Sequence, residues 1–578
     1  MKKICTLALA VLAMIGCGQK KATTSGDQNV HFDQYKNSFV EHLWEINPSW
    51  ASSVGYHKFD SVLVIPNEDS KKKELEFAKS NLDSLKSFDI AQLSDNNKTD
   101  YKMIDNQMNY TIWAINELKS GEWNPSSYNV SGEFAEMLNN NYDSLDVRLH
   151  NFNLKSANIP AYYVAAKANI KNPTVEHTQL AIEQNLGGLS VFEKDLPASL
   201  KDSRLSQQEK DQLLANAKAA VIAIKDFADF LKNLKNDQPR SFRLGKDLYA
   251  KKFEFEIQSG YTADEVLAKA VAHKNELHQK MAEITMKLWP KYFAAQPMPA
   301  DTLKLIRQMI DKLSLVHVQA DSFQVAIEKQ IPVLVDFIKQ KNLIYIDPTK
   351  PLVVRREPDY MAGVAGASIS APGPYDKTGN TYYNVGSLSG WDKDRAESYL
   401  REYNQYILQI LNIHEAIPGH YTQLVYANQS PSLIKSLFGA SSMIEGWAVY
   451  TERMMLEEGY GNNEPEMWLM YYKWNLRSTC NFILDNSVHT KNFSKEEAMN
   501  LLINEAFQQK TEAENKWRRV SLTQVQLCCY FTGYTEIYDF REELKKKEGD
   551  KFKLKDFHEK FLSYGSAPVK FIRELMLK

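Results

Sequence analysis

The stretch Ile413-His414-Glu415-Ala416-Ile417-Pro418-Gly419-His420 carries the residue types of a hydrolytic metal site. Two neutral imidazoles can bind a divalent cation, and a glutamate beside the first can take a proton from water on that cation. The usual spacing puts the second His four residues after the first, on one helix face. Here it comes six residues later. On an unbroken helix that is a turn of about 600°, which leaves His420 about 120° away from His414. Pro418 and Gly419 offer a remedy. The proline has no N–H for the carbonyl of His414 and its ring clashes there, while the glycine accepts unusual backbone dihedrals. The sequence therefore predicts a kink or bulge that carries His420 to the place of an ordinary second ligand.

A third ligand is expected from Met443-Ile444-Glu445-Gly446-Trp447-Ala448-Val449-Tyr450-Thr451-Glu452. Glu445 and Glu452 are seven residues apart and share one helix face. Met443, Trp447, Ala448 and Met455 clothe much of the rest, so this helix is expected to be largely buried. Buried carboxylates need partners. A metal answers for Glu445, and the N–H of a ligating His answers for Glu452. The set His414, His420 and Glu445 leaves one position open for water, as one Zn²⁺ per chain would require. The competing reading is a helix-end cluster in which His and Glu satisfy one another.

Three further residues are candidates to donate to an oxyanion: Tyr530, His489 and His558. Arg519 and Arg541 are candidates to hold a substrate carboxylate, for which a guanidinium fork is suited. For each, packing or a local ion pair is the plain alternative.

Most of the remaining sequence reads as helices that frame this chemistry. Apolar spacing predicts helices over 31–46, 70–90, 99–119, 159–171, 174–190, 205–233 and 262–286, with Thr262 and Glu265 as a capping box. Residues 301–340 read as mostly helical, with a break possible at Pro332. Residues 391–414 lead into the metal helix, and helices follow over 464–481 and 495–506, with His489 in the loop between. Composition changes over 343–390, where β-branched and aromatic residues alternate with Gly and Pro. That segment predicts a small sheet beside the metal helix. Tyr382-Tyr383-Asn384 is the candidate edge strand for binding a peptide backbone, and 363–373 the candidate flap.

Taken in order, HEAIPGHYTQ (414–423), EGWAVYTE (445–452), LDNSVHT (484–490), CYFTGYTEIYDFREE (529–543) and FKLKDFHEKFLSYGSAPV (552–569) resemble the bacterial DUF885 family, as does NPSWASSVGYHKFD (47–60). That family looks similar to helical zinc metallopeptidases, the thermostable carboxypeptidases and oligopeptidases among them. The resemblance implies a large, mainly α fold with two lobes around a deep cleft and zinc-dependent peptide hydrolysis. It makes 31–578 one catalytic domain with its metal site within 414–452. The family commonly writes PGHH where this chain has His420 followed by Tyr421, so the first His of that pair is taken as the ligand.

The N-terminus, MKKICTLALAVLAMIG, pairs a basic start with an apolar run too short to span a membrane, the pattern of a signal peptide over 1–16. Met14-Ile15-Gly16-Cys17 resembles a lipobox, with Cys17 lipidated and residues 17–30 a polar tether. Gly18 after the cysteine suits an outer-membrane lipoprotein facing the periplasm. With a formal net charge of −2 and no polybasic block, nucleic acid is not an expected partner. Adjacent Cys528 and Cys529 make a poor disulfide pair, and Cys480 and Cys528 read as small buried hydrophobes. Two other classes stay open: a helical lipoprotein that binds a solute or surface without catalysis, and a pseudo-enzyme that keeps the fold without metal.

Overall fold

The computed structural model describes residues 25–357, 367–376, 380–430 and 432–578. The signal peptide, Cys17 and residues 363–366 of the expected flap lie outside them. Helix Ser25–Ile46 begins inside the expected tether. Helices Glu68–Leu85 and Asp95–Trp113 follow, the second started by Ser94, whose hydroxyl accepts from the Asn97 N–H.

Buried apolar side chains fall into two clusters. The smaller lies within residues 63–231 and is built mainly by helices Ser131–Asn139, Leu145–Ser156, Ile159–Asn169, Val175–Gly187 and Gln207–Asn233. Leu213, Ala217, Ala220, Ile224, Phe227 and Leu231 give the last of these one buried stripe. The larger cluster takes in the N-terminal helices and everything after about residue 240. Among the described residues no helix is long and apolar enough to cross a membrane.

Helix Ala263–Phe293 opens on the expected capping box of Thr262 and Glu265. The 301–340 stretch forms two helices, Thr302–Leu313 and Phe323–Lys341. The break falls at 314–322, and Pro332 is absorbed inside the second helix. Strands β1 (Leu352–Arg356), β2 (Ala367–Ser370) and β3 (Thr381–Val385) form the small sheet in the order β1-β3-β2. β3 runs parallel to β1 and antiparallel to β2. The candidate edge strand is thus the central strand, with a neighbour bonded on each side, and cannot accept another chain by strand addition.

The lead-in over 391–414 is two helices rather than one. Lys393–Glu402 ends at Tyr403, and Asn404 starts α1 (Gln405–Glu415) by accepting from the N–H groups of Tyr406 and Ile407. Next come α2 (His420–Asn428), α3 (Ser441–Glu457) and α4 (Pro465–Thr490). α4 runs nine residues past its expected end because Phe482, Ile483, Leu484 and Val488 continue its buried surface. His489 therefore lies in its last turn, not in a loop.

The chain finishes with a short helix capped by Ser494, α5 (Lys510–Leu522), α6 (Cys529–Glu548) and two terminal helices. α5 borders the smaller apolar cluster: His177 Nε2 donates to Leu522 O at 3.0 Å, and Arg518 meets Glu183 at 2.6 Å.

Candidate metal centre

α1 stops at Glu415, and after a cis Ile417–Pro418 peptide α2 starts at His420. The predicted break is therefore complete, and helical angles no longer relate the two His residues. Gly419 N donates to Ile413 O at 3.0 Å, folding the turn back on α1. Its φ of −71° is ordinary. What makes glycine necessary is space, since a Cβ there would overlap the carbonyl oxygens of His414 and Ile413. Trp447 Nε1 donates to Pro418 O at 2.9 Å, tying the turn to α3.

This turn sets the His414 and His420 rings 4.8 Å apart and nearly perpendicular. Glu445 Oε2 lies 3.3 Å from His420 Nε2 and 3.7 Å from His414 Nε2. All three ligand atoms fall within 4.8 Å of one another, a group that could hold a metal ion. Two ligands about 2.0–2.1 Å from one tetrahedral ion stand roughly 3.3–3.4 Å apart, which the two carboxylate separations bracket. Glu445 Oε2 is also buried without a hydrogen-bond partner. An anionic oxygen left so is expensive, and a cation between it and the two imidazoles removes the cost. The residues fit a metal.

Glu452 lies one turn pair along α3, fully buried. His414 Nδ1 bonds to its Oε1 at 2.7 Å, and Trp474 Nε1 of α4 donates to the same oxygen at 2.9 Å. With the Nδ1 proton given to Glu452, Nε2 is the nitrogen with the free lone pair, facing the cluster. Burial works against charge on His414, but Glu445 and Glu452 raise its pKa to about 10. Burial also opposes charge on Glu445, which the facing imidazoles nevertheless hold well below the usual carboxylate range.

Glu415 forms no hydrogen bond or ion pair with any described residue. It feels the charges of His414, His420 and Glu445, and burial raises its pKa despite His414. A carboxylate so placed is available to water beside the cluster.

Of the more distant candidates, the structure brings Tyr530 and Arg519 to this region. α3 and α6 touch backbone to backbone where Gly446 meets Gly533, and a Cβ on either would overlap the other helix. Glu445 is next to one glycine and Tyr530 one turn from the other. Burial pushes the Tyr530 phenol well up, with Glu445 the next largest cause. Arg519 Nη2 donates to Tyr530 OH at 3.3 Å and to Gln526 Oε1 at 2.7 Å.

The other four candidates have structural partners instead. His489 Nε2 donates to Val520 O at 3.0 Å and Thr523 O at 3.1 Å. With Asp485, which accepts from Val525 N–H and Tyr249 OH, it pins the α5–α6 loop. His558 has both ring nitrogens engaged, Nδ1 with Leu343 O at 2.9 Å and Nε2 with Tyr450 OH at 2.8 Å. Burial pushes it down to about 4, so it is a neutral core residue. Arg541 pairs with Glu457 at 2.8 Å and Glu542 at 2.7 Å. Tyr383 is fully buried, and its phenol donates to Asn412 Oδ1 of α1 at 2.9 Å. It braces the metal helix and offers no surface to a substrate.

Sequence reasoning missed Trp474 and the charged side chains behind the cluster. Lys473 pairs with Glu402 at 2.6 Å and Arg477 with Glu512 at 2.6 Å. The signal was partly there: Lys473 and Arg477 stand four apart on a helix rich in Trp, Tyr, Leu and Met, and buried charge demands partners. Cys480, Cys528 and Cys529 are free and buried, as expected for Cys480 and Cys528.

No curated protein matches the chain by sequence. Among solved structures, one described as "a putative lipoprotein of unknown function" from Shewanella oneidensis is 55% identical, with a TM-score of 0.88 over 95% of this chain and 100% of that one. A second, described as a "putative lipoprotein" from Colwellia psychrerythraea, shares the fold at 15% identity, with a TM-score of 0.75 over 95% of this chain and 98% of that one. Residues 48–576 match the model of DUF885, described as bacterial protein of unknown function, and the chain belongs to that family.

Proposed function

We propose that the protein is a zinc-dependent hydrolase of peptide bonds. The observation that carries this reading is the buried, unbonded Glu445 oxygen facing the Nε2 atoms of His414 and His420, with Glu415 unpaired beside them. These three residues would hold Zn²⁺, whose role when bound is to acidify a water and polarise the scissile carbonyl. Glu415 takes the proton from that water as its oxygen joins the carbonyl carbon, and returns it to the leaving amine as the C–N bond breaks. Tyr530 donates toward the developing oxyanion. Glu452 and Trp474 hold the His414 ring in place. With this reading goes the expected cleft of a two-lobed metallopeptidase-like fold, through which a peptide would reach these residues.

The test is metal content with activity. Stripped protein given zinc should take up one ion per chain and hydrolyse peptides, and chelation should abolish the hydrolysis. Folded protein that takes up far less than one zinc ends the reading. A second reading has support of its own, because both similar structures are described only as lipoproteins. A non-catalytic, solute-binding lipoprotein or a metal-free pseudo-enzyme would be what remains.

We infer the same lipid anchoring for this chain, at Cys17, with the protein at the outer membrane facing the periplasm. Expressed with its own leader in bacteria, it should incorporate labelled fatty acid and fractionate with membranes. Cys17→Ala should abolish both, and undiminished labelling of that variant would refute the anchor.

A further inference from the structure

Behind the metal cluster lies a group of charges that does not balance. Four cations approach one another there: Lys473 and Arg477 of α4, and Lys516 and Arg519 of α5. Two acids pair with them at close range, Glu402 and Glu512, while Glu415, Glu445 and Glu452 act on Arg477 or Arg519 only from further off. Glu402 is bonded to Lys473 and also accepts from Gln509 N–H. Glu512 is bonded to Arg477, and Lys516 stands off from the same oxygen at 3.8 Å, beyond hydrogen-bond distance. Among the described residues, Lys516 forms no hydrogen bond although its side chain is only 4% exposed. Among the described residues Arg519 has no carboxylate within ion-pair distance; its bonds go to the neutral Gln526 and Tyr530.

Unpaired buried cations are costly, and a protein retains them where an anion arrives. Burial, reinforced by Arg477, pushes Lys516 down to about 7, which fits a group short of a counter-charge. The surplus also faces one way. Arg519 stands within the field of Glu445 and is bonded to the phenol that shares that field. An anion on Arg519 would thus lie beside the metal cluster, with Tyr530 between them.

We propose that Arg519, backed by Lys516, is a subsite for the α-carboxylate of the substrate. Resting on the hydrolase reading above, this makes the enzyme a carboxypeptidase, acting on peptides whose scissile bond is the last before a free C-terminus. A guanidinium binds a carboxylate through paired N–H groups, which fixes both its distance and its orientation. The distance from the carboxylate to the preceding carbonyl is a single residue, the same for every peptide. In the proposed subsite that constant reach is what would set the terminal bond at the cluster, regardless of sequence.

The test compares a blocked tetrapeptide with its C-terminal amide on the zinc-loaded protein, read as release of the last residue. The free acid should be cleaved at the terminal bond, and the amide slower by on the order of 10²-fold or more, since a site built to bond a group rejects the analogue lacking it. Arg519→Met should lower kcat/KM for the acid by a similar factor and largely erase the preference, with zinc content unchanged. Arg519→Lys should recover part of the loss. Separately, calorimetry with N-acetylphenylalanine should show binding that weakens at least tenfold in Arg519→Met. Equal cleavage of acid and amide, or cleavage at internal bonds alone, overturns the subsite and leaves a hydrolase. Carboxylate-dependent binding without hydrolysis of either peptide leaves the subsite and overturns the hydrolase. Absent binding, or equal binding in the variant, overturns the subsite whatever the activity.

Discussion

Glu415→Gln should keep its zinc and its fold and lose peptide hydrolysis by about 10²–10⁴-fold, the usual contribution of a general base. The amide has the same shape, and Glu415 is bonded to no described residue, so its replacement leaves no structural partner stranded. What disappears is the ability to take a proton from water. Glu445→Gln should behave differently. Its carboxylate faces both imidazoles at 3.3 and 3.7 Å, so losing the charge should lower metal affinity and activity together. An amide in that buried position also costs about 1–3 kcal/mol if one of its groups finds no partner. Zinc stoichiometry at matched free metal, measured beside hydrolysis, separates the roles. If Glu415→Gln loses zinc while Glu445→Gln keeps it and still cleaves peptide, base and ligand are wrongly assigned, and Glu452 becomes the next ligand to examine.

Gly446→Ala should be the most disruptive small substitution near the site. One added methyl would overlap the backbone of Gly533, and backbone cannot rotate away as a side chain can. α3 and α6 would have to separate, moving Glu445 from the imidazoles and Tyr530 from Arg519. Overpacking of a core costs about 1–3 kcal/mol when side chains can adjust. Here they cannot, so the loss should exceed that range, seen as a lowered melting temperature or insoluble protein. Gly132→Ala is the control, since a Cβ there meets nothing within 4 Å. A melting temperature for Gly446→Ala equal to that of the control would mean the helices do not cross so closely.

The local chemistry of the cluster was legible because it is written in adjacent residues. Pro418 and Gly419 announced a break between the His residues, and the spacing of Glu445 and Glu452 placed both on one buried face. The reason for Gly419 was not legible, because it depends on where two carbonyls lie after the turn closes. Misplacements occurred where tertiary packing decides. β3 has the pattern of an edge strand but lies in the middle, since nothing local records which strands flank it. His489, His558 and Arg541 are polar residues near motifs, and their partners are far away in sequence: Val520 O, Leu343 O and Glu457. Arg519 looks the same in the sequence, and what sets it apart is that no described carboxylate lies within ion-pair distance of it.

The bonds from His177 to Leu522 O and from Glu183 to Arg518 join α5 to helix Val175–Gly187 of the smaller apolar cluster. The proposed metal ligands belong to α1, α2 and α3, whose apolar residues belong to the larger one. α5 itself packs into that larger cluster through Ala513 and Val520, so these two polar bonds link the helix of Arg519 to the other cluster. A strain in the smaller helical layer would reach α5 through that link. Substitutions around His177 would therefore be expected to disturb the proposed carboxylate subsite before they disturb the proposed metal ligands.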